Sequence, residues 1–202
     1  MQIIPTIGLK KQYEEAEERI RQIRDYSNWI QIDVCDSVFA KGKTFELELL
    51  GKLDFETKNS LWDVHLMVKE PINWINKCVK VGASRIIGQS EMMSDKTMFL
   101  DKVKNEAAEA GLAFDVDTEV KTIEGDWDII LLMGRRAGFG YFDFEGKVLD
   151  KIKKVKDMGY RVGIDGGVDV DNYEKIVEAG ADIIYSEVNY WKLLDANNQR
   201  NK

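Results

Sequence analysis

Four short stretches of this chain carry side chains that could do chemistry together. The first, Arg161-Val162-Gly163-Ile164-Asp165-Gly166-Gly167-Val168, reads as a buried strand ended by a carboxylate and two glycines. Such a strand aims Asp165 out of its C-terminal end. Gly166 and Gly167 lack a Cβ, so their amides can approach an anion closely, and the following helix adds its positive end. Asp-Gly-Gly is also ordinary turn chemistry, so its meaning depends on the other segments.

Two of these segments are strand ends. In Gln31-Ile32-Asp33-Val34-Cys35-Asp36, alternation puts Gln31, Asp33 and Cys35 on one face. In Asp63-Val64-His65-Leu66-Met67, the only histidine, His65, shares its face with Asp63 and Met67. Carboxylates from different strands with an imidazole suit a divalent metal (zinc, iron or manganese) and acid/base chemistry. Asp33, His65 and Asp165 are the candidate ligands, with Gln31 as a weaker fourth donor. The competing reading makes His65 a satisfied core histidine and the aspartates helix caps.

The elements that must position these residues alternate regularly. Strand-like runs fall at 2–6, 29–34, 61–67, 85–88, 112–115, 127–133, 160–164 and 182–185. Amphipathic helical patterns fall between them at 10–24, 71–81, 96–110, 147–158 and 170–179. Gly82, Gly111, Gly159 and Gly180 stand where helices want a left-handed terminal residue. Eight strands alternating with helices predict a compact (β/α)₈ TIM barrel of the α/β class, one domain over 1–202. An open doubly wound sheet would carry a glycine fingerprint after its first strand, where this chain has Thr6-Ile7-Gly8-Leu9.

The barrel gives the fourth stretch a place. Leu132-Met133-Gly134-Arg135-Arg136-Ala137-Gly138-Phe139-Gly140 follows the sixth strand, beside the Gly166-Gly167 turn, where such barrels commonly hold phosphate. Gly138 and Gly140 could offer amides, and Arg135 or Arg136 a charge. The alternative is a plain surface loop with solvated arginines.

Composition narrows the classes. The 202 residues carry a formal charge of −7, which argues against a nucleic-acid partner without excluding a small phosphorylated ligand. The longest apolar runs, such as Ile129 through Met133, are far too short to span a membrane, and no signal peptide opens the chain. Cys35 and Cys78 have no framework spacing, which predicts reduced thiols in a cytoplasmic protein.

From about residue 5 to residue 191 the chain resembles the ribulose-phosphate 3-epimerase family. Pro5-Thr6-Ile7 resembles its Pro-Ser-Ile, and Asp33-Val34-Cys35-Asp36 its Asp-Val-Met-Asp. Asp63-Val64-His65-Leu66-Met67-Val68 matches its Asp-Val-His-Leu-Met-Val, Gly138-Phe139-Gly140 its phosphate loop, and Asp165-Gly166-Gly167-Val168 its Asp-Gly-Gly-Val. The resemblance implies a metal-dependent enzyme that epimerises a ketopentose phosphate at C3, converting D-ribulose 5-phosphate to D-xylulose 5-phosphate. Asp33 and Asp165 would then be the acid/base pair on opposite faces of the substrate, His65 a metal ligand, and Met67 a neighbour of the ene-diolate. Thr6, Phe139 and the loop glycines would line the substrate site, in a chain expected to form a homo-oligomer.

Departures from the pattern leave other functions open. Gln31 stands where the family has histidine, Cys35 where it has methionine, and Ala137 where its loop has proline. Glu187-Val188 aligns with the family's Gly-Ser, which offers amides to the phosphate. A carboxylate there would repel a phosphate unless Glu187 turns away or pairs with Arg135 or Arg136. Related decarboxylases of this barrel group carry an Asp-x-Lys-x-x-Asp array on strand three, and this chain has no lysine at that place. The alternatives are an isomerase of a different keto-sugar and an impaired barrel that binds a ligand or a protein.

Overall fold

The computed structural model describes residues 1–53, 60–140 and 142–200. Eight parallel strands run β1 (Gln2–Pro5), β2 (Trp29–Cys35), β3 (Leu61–Met67), β4 (Ala83–Gln89), β5 (Glu109–Phe114), β6 (Ile129–Met133), β7 (Val162–Asp165) and β8 (Ile183–Ser186). Their order is β1-β8-β7-β6-β5-β4-β3-β2, and a parallel bridge between Thr6 and Gln31 draws the two ends together. The Ile7 amide donates to the Gln31 carbonyl at 3.0 Å across this seam. The result is the expected barrel, with helices α1 (Tyr13–Ile23), α2 (Ile75–Lys80), α3 (Lys96–Asn105), α4 (Val148–Asp157), α5 (Val170–Ala179) and α6 (Tyr190–Arg200) around it.

Strands buried on both faces read as continuous apolar runs, and their alternation sorts the side chains into two cores. Ile32, Val64, Ile86, Leu112, Ile130, Leu132, Ile164 and Ile184 face outward into the larger core beneath the helices. Ile4, Ile87, Ala113, Ile129, Leu131, Met133, Ile183 and Tyr185 fill the barrel interior. The opposite wall of that interior is polar. On β3 and β4 the buried Asp63 carboxylate accepts from Arg85 at 2.7 Å and from the Tyr185 hydroxyl at 2.6 Å. The Arg85 guanidinium also bonds Glu109 at 2.7 Å and lies 4.1 Å over the Trp29 ring. This paired cation plugs the barrel below the level of His65.

The helical patterns differ from expectation in one informative place. The run 96–110 does not stay helical: α3 ends at Asn105, Ala107 takes a left-handed φ of 56°, and β5 begins at Glu109. The alanines at 108 and 110 favour a helix on propensity alone. Pairing overrides it, because Glu109 sits opposite Arg85 and the Ala110 amide donates to the Asp128 carboxylate at 2.7 Å. Gly111 is therefore not a helix terminus. It lies inside β5, where a Cβ would fall 2.6 Å from Ile87 Cγ1 and 2.9 Å from Ile129 Cγ2. Gly82, Gly159 and Gly180 do take positive φ at helix ends.

The barrel also trims its helices. The segment after β2 offers only a 3₁₀ turn at Leu47–Lys52 among its described residues, and 115–128 contains turns and no helix. Lys151 on α4 clamps the latter by donating to the carbonyls of Asp115, Val116 and Thr118 at 2.6–3.0 Å. Among the described residues no helix is long and apolar enough to cross a membrane.

Candidate active site

Strand register brings the first two candidates together. Asp33 and His65 are direct partners on β2 and β3, with His65 Nδ1 3.3 Å from Asp33 Oδ1. Asp165, from the end of β7, places Oδ2 4.0 Å from the same nitrogen. One donor atom from each of the three lies within 4.8 Å of the others, and all three side chains are buried. The Thr6 hydroxyl donates to Asp33 Oδ2 at 3.0 Å and accepts from the Gly8 amide at 2.9 Å, so the loop after β1 orients this carboxylate.

The other edge of the imidazole meets Gln89, a residue the sequence reading did not select. With its amide oxygen toward the ring, Gln89 accepts from Nε2–H at 3.3 Å and donates to Ala113 O and Glu91 Oε2. That keeps a proton on Nε2 and turns Nδ1 toward the two carboxylates. The only signal for Gln89 is its place at the C-terminal end of β4, one residue past the expected strand end.

Crowded carboxylates in a dry site perturb one another. Burial, then the Asp33 charge, pushes Asp165 up to about 7 against the opposing influence of His65, Arg135 and the Gly166 amide. Burial would depress His65, yet the hydrogen bond and charge of Asp33, with the charges of Asp165 and Asp63, hold it above its ordinary value.

These donors fit a divalent cation. Two carboxylates and one imidazole converge, and the fully buried Gln31 amide has, among the described residues, a hydrogen-bond partner for neither its oxygen nor its nitrogen. A buried amide without partners carries a desolvation cost that a ligand can relieve. Cys35 is engaged elsewhere: its thiol donates to the carbonyls of Gly42 at 2.9 Å and Ala40 at 3.4 Å.

Above these residues opens a cavity of about 670 Å³, lined by Thr6, Met67, Asp33, Asp165 and the loops after β1, β6, β7 and β8. Gly138, Phe139, Gly140, Gly166 and Gly167 all stand on its wall. Gly166 and Gly167 have φ of 94° and 74°, and a Cβ on Gly167 would touch the backbone of Phe144 at 3.1 Å. Gly138 packs on Ala40, and the Phe139 ring lies against Gly42 with the Lys11 ammonium 5.6 Å from its centroid. The loop after β6 thus reaches across to the loop after β2. The positive end expected of the following helix α5 is already met in part, because the Asp169 side chain accepts from the amides of Asp171 and Asn172.

The charges around the cavity depart from expectation. Glu187 pairs with neither Arg135 nor Arg136. Its carboxylate bonds Lys10, and its backbone carbonyl accepts from Arg19 at 2.6 Å. Arg136 is drawn to the surface by Asp117 at 2.9 Å, while Arg135 lies along Gly166 and reaches the Phe142 carbonyl at 3.3 Å. The reason is reach: β1 neighbours β8 directly, so the β1 loop meets Glu187 before the β6 loop can. Lys10 could have been found as a charged residue just beyond a strand's C-terminal end.

Known proteins share the sequence and the fold of this chain. A ribulose-phosphate 3-epimerase of Chlamydia muridarum is 30% identical over 187 residues, covering 87% of this chain and 81% of the relative. Its counterpart in Bacillus subtilis is 32% identical over 169 residues, covering 77% and 76%. Among solved structures, a phosphoribosyl anthranilate isomerase from Thermus thermophilus superposes over the whole of both chains with a TM-score of 0.70 at 12% identity, a likeness of fold alone. Residues 2–188 match the ribulose-phosphate 3 epimerase family. A barrel whose strand ends bring an imidazole between two aspartates, and whose sequence follows that family over nearly its full length, belongs to the ribulose-phosphate 3-epimerases, isomerases of carbohydrates.

Proposed function

We propose that this enzyme interconverts D-ribulose 5-phosphate and D-xylulose 5-phosphate by moving a proton on and off C3 from opposite faces. The observation that carries the reading is the pair of carboxylates, Asp33 on β2 and Asp165 on β7, meeting at one imidazole nitrogen on the cavity floor. One carboxylate takes the C3 proton while the other, protonated, returns a proton to C3 from the far side. The electron pair released from the C–H bond is held meanwhile as an ene-diolate and goes back to form the new C–H bond. Proton and charge balance, and each turnover leaves the two carboxyl groups in exchanged protonation states that the reverse reaction or solvent resets.

Thr6 and His65 hold Asp33 at fixed orientation for that transfer. Met67 and Met133 line the cavity floor with apolar surface, which limits water access to the carbanionic intermediate. A divalent metal held by Asp33, His65 and Asp165, with Gln31 as the weakest donor, would supply Lewis-acid stabilisation of the ene-diolate oxygens. The loop amides after β6 and β7 are the anchors for the substrate phosphate. The same reading puts the enzyme in the cytoplasm, where such phosphorylated sugars are made, as a homo-oligomer.

An assay coupling D-xylulose 5-phosphate formation to a second enzyme, run with and without added zinc, iron or manganese, tests the proposal. Turnover that rises with one metal supports it; none with any metal overturns it. A second reading, a different keto-sugar as substrate, is favoured by the Glu187 carboxylate on the cavity wall, which opposes a phosphate if it stays in place. Activity on a non-phosphorylated ketose and none on the phosphate would select it.

A further inference from the structure

We propose that Lys10 is the residue that admits the anionic end of the substrate, and that Glu187 holds its place until the anion arrives. This rests on the sugar-phosphate reading above. Both side chains line the cavity that holds Asp33 and Asp165. Their ammonium and carboxylate are directly hydrogen-bonded, with side-chain exposures of 25% and 34%. An ion pair this accessible is weakly held, so exchange costs little.

The anchoring of the pair suits an exchange. The backbone on either side is fixed: the Lys10 amide bonds the Gly8 carbonyl at 3.1 Å, its carbonyl accepts from Phe45 at 3.1 Å, and Arg19 holds the Glu187 carbonyl. Only the side chains need move. The Glu187 carboxylate lies across Gly8, whose missing Cβ would sit 2.1 Å from Oε2, so the absence of a side chain at position 8 makes room for this resting position. The residue has φ of 69°, a conformation that favours glycine in any case.

Charge balance gives the exchange its direction. Lys10, Arg135 and Arg136 are the cations of the cavity wall, Arg136 beside Asp117 at 2.9 Å, and Glu187 is the acid that engages Lys10. With Glu187 swung outward, Lys10 and Arg135 are two positive charges on the wall that carries Gly166 and Gly167. A phosphate monoester carries about two negative charges near neutral pH, and matches that sum where a single carboxylate does not. The pair therefore discriminates: a neutral sugar has nothing to offer Lys10 in return for Glu187.

Calorimetry with inorganic phosphate tests the idea on the intact protein and on Lys10→Met, Glu187→Gln and the double variant. Glu187→Gln should tighten phosphate by about fivefold, the worth of an exposed pair. Lys10→Met should weaken it about tenfold or more, the worth of a charge-assisted hydrogen bond. The double variant should bind like Lys10→Met, because Glu187 acts through Lys10. With the phosphorylated ketose as substrate, Lys10→Met should raise KM and leave kcat near its original value, and Lys10→Arg should recover most of the loss. Unchanged phosphate binding in Lys10→Met, weaker binding in Glu187→Gln, or no phosphate binding in any form overturns the proposal. The two readings fail separately: epimerase turnover with a KM indifferent to Lys10 sinks this one alone. Lys10-dependent phosphate binding without turnover sinks only the assigned reaction.

Discussion

Asp33 and His65 are paired in register on adjacent parallel strands, Oδ1 to Nδ1 at 3.3 Å, so the backbone ladder itself sets the spacing of this carboxylate and imidazole. Asp33→Asn keeps the shape and removes the proton acceptor, and the same holds for Asp165→Asn. Each change should lower kcat by about a hundredfold or more, with the far-ultraviolet spectrum and Tm showing intact folding. Rates near those of the parent in either variant would remove that residue from the mechanism.

Thr6 offers a graded version of the same test. Its hydroxyl is the second hydrogen bond on Asp33, so Thr6→Val should lose about 1 kcal/mol of stability and leave the carboxylate free to rotate. Steady-state kinetics should show a fall in kcat of roughly tenfold, restored by Thr6→Ser. Failure of serine to restore the rate would place the effect in packing.

Gln31 separates stability from metal binding. Its amide is buried without partners among the described residues, so Gln31→Leu should leave the metal-free protein at least as stable, by thermal denaturation, and weaken divalent metal binding several-fold. Gln31→His should strengthen that binding, since imidazole is the better donor to zinc. Titration with zinc or manganese reads both. Equal affinity in all three proteins would show that Gln31 is not a ligand.

The buried cation below the site is a stability element. Arg85→Leu strands Asp63 inside the barrel, which should cost about 3–5 kcal/mol in urea unfolding. Replacing both members, Asp63→Leu with Arg85→Leu, should cost markedly less than Arg85→Leu alone. A double variant as unstable as the sum of its parts would deny the coupling.

The two thiols should be silent. Burial pushes Cys78 up to about 12 and Cys35 above its ordinary value. At pH 8 roughly one Cys78 in ten thousand is a thiolate, too few for ready alkylation. A chromogenic disulfide reagent should therefore report no rapid reaction in buffer and two thiols in denaturant.

What could be read before the structure follows from what is local. Strand alternation, a period-two property, placed Asp33, His65 and Asp165 at strand ends pointing inward, and these three do come together. The parallel barrel was legible in the repeated strand and helix patterns for the same reason. Three features depended on who is next to whom and were not legible. The stretch around Glu109 looks helical until Arg85 is seen opposite it. Glu187 invites pairing with the arginines of the sixth loop until the adjacency of β1 and β8 brings Lys10 nearer. Gln89 looks like any amide until its contact with the imidazole edge is known.

Thr6 sits where the ribbon of strands meets itself. Its backbone bridges to Gln31 on β2, its amide donates to Ser186 on β8 at 3.0 Å, and its hydroxyl grips Asp33. The seam of the cylinder and the orientation of the Asp33 carboxylate thus share one residue. Thr6 thereby ties three strands together, the first to the second through Gln31 and Asp33 and the first to the eighth through Ser186. On the proposed mechanism, loosening this one junction should disturb the set of Asp33 while the rest of the sheet keeps its ladder.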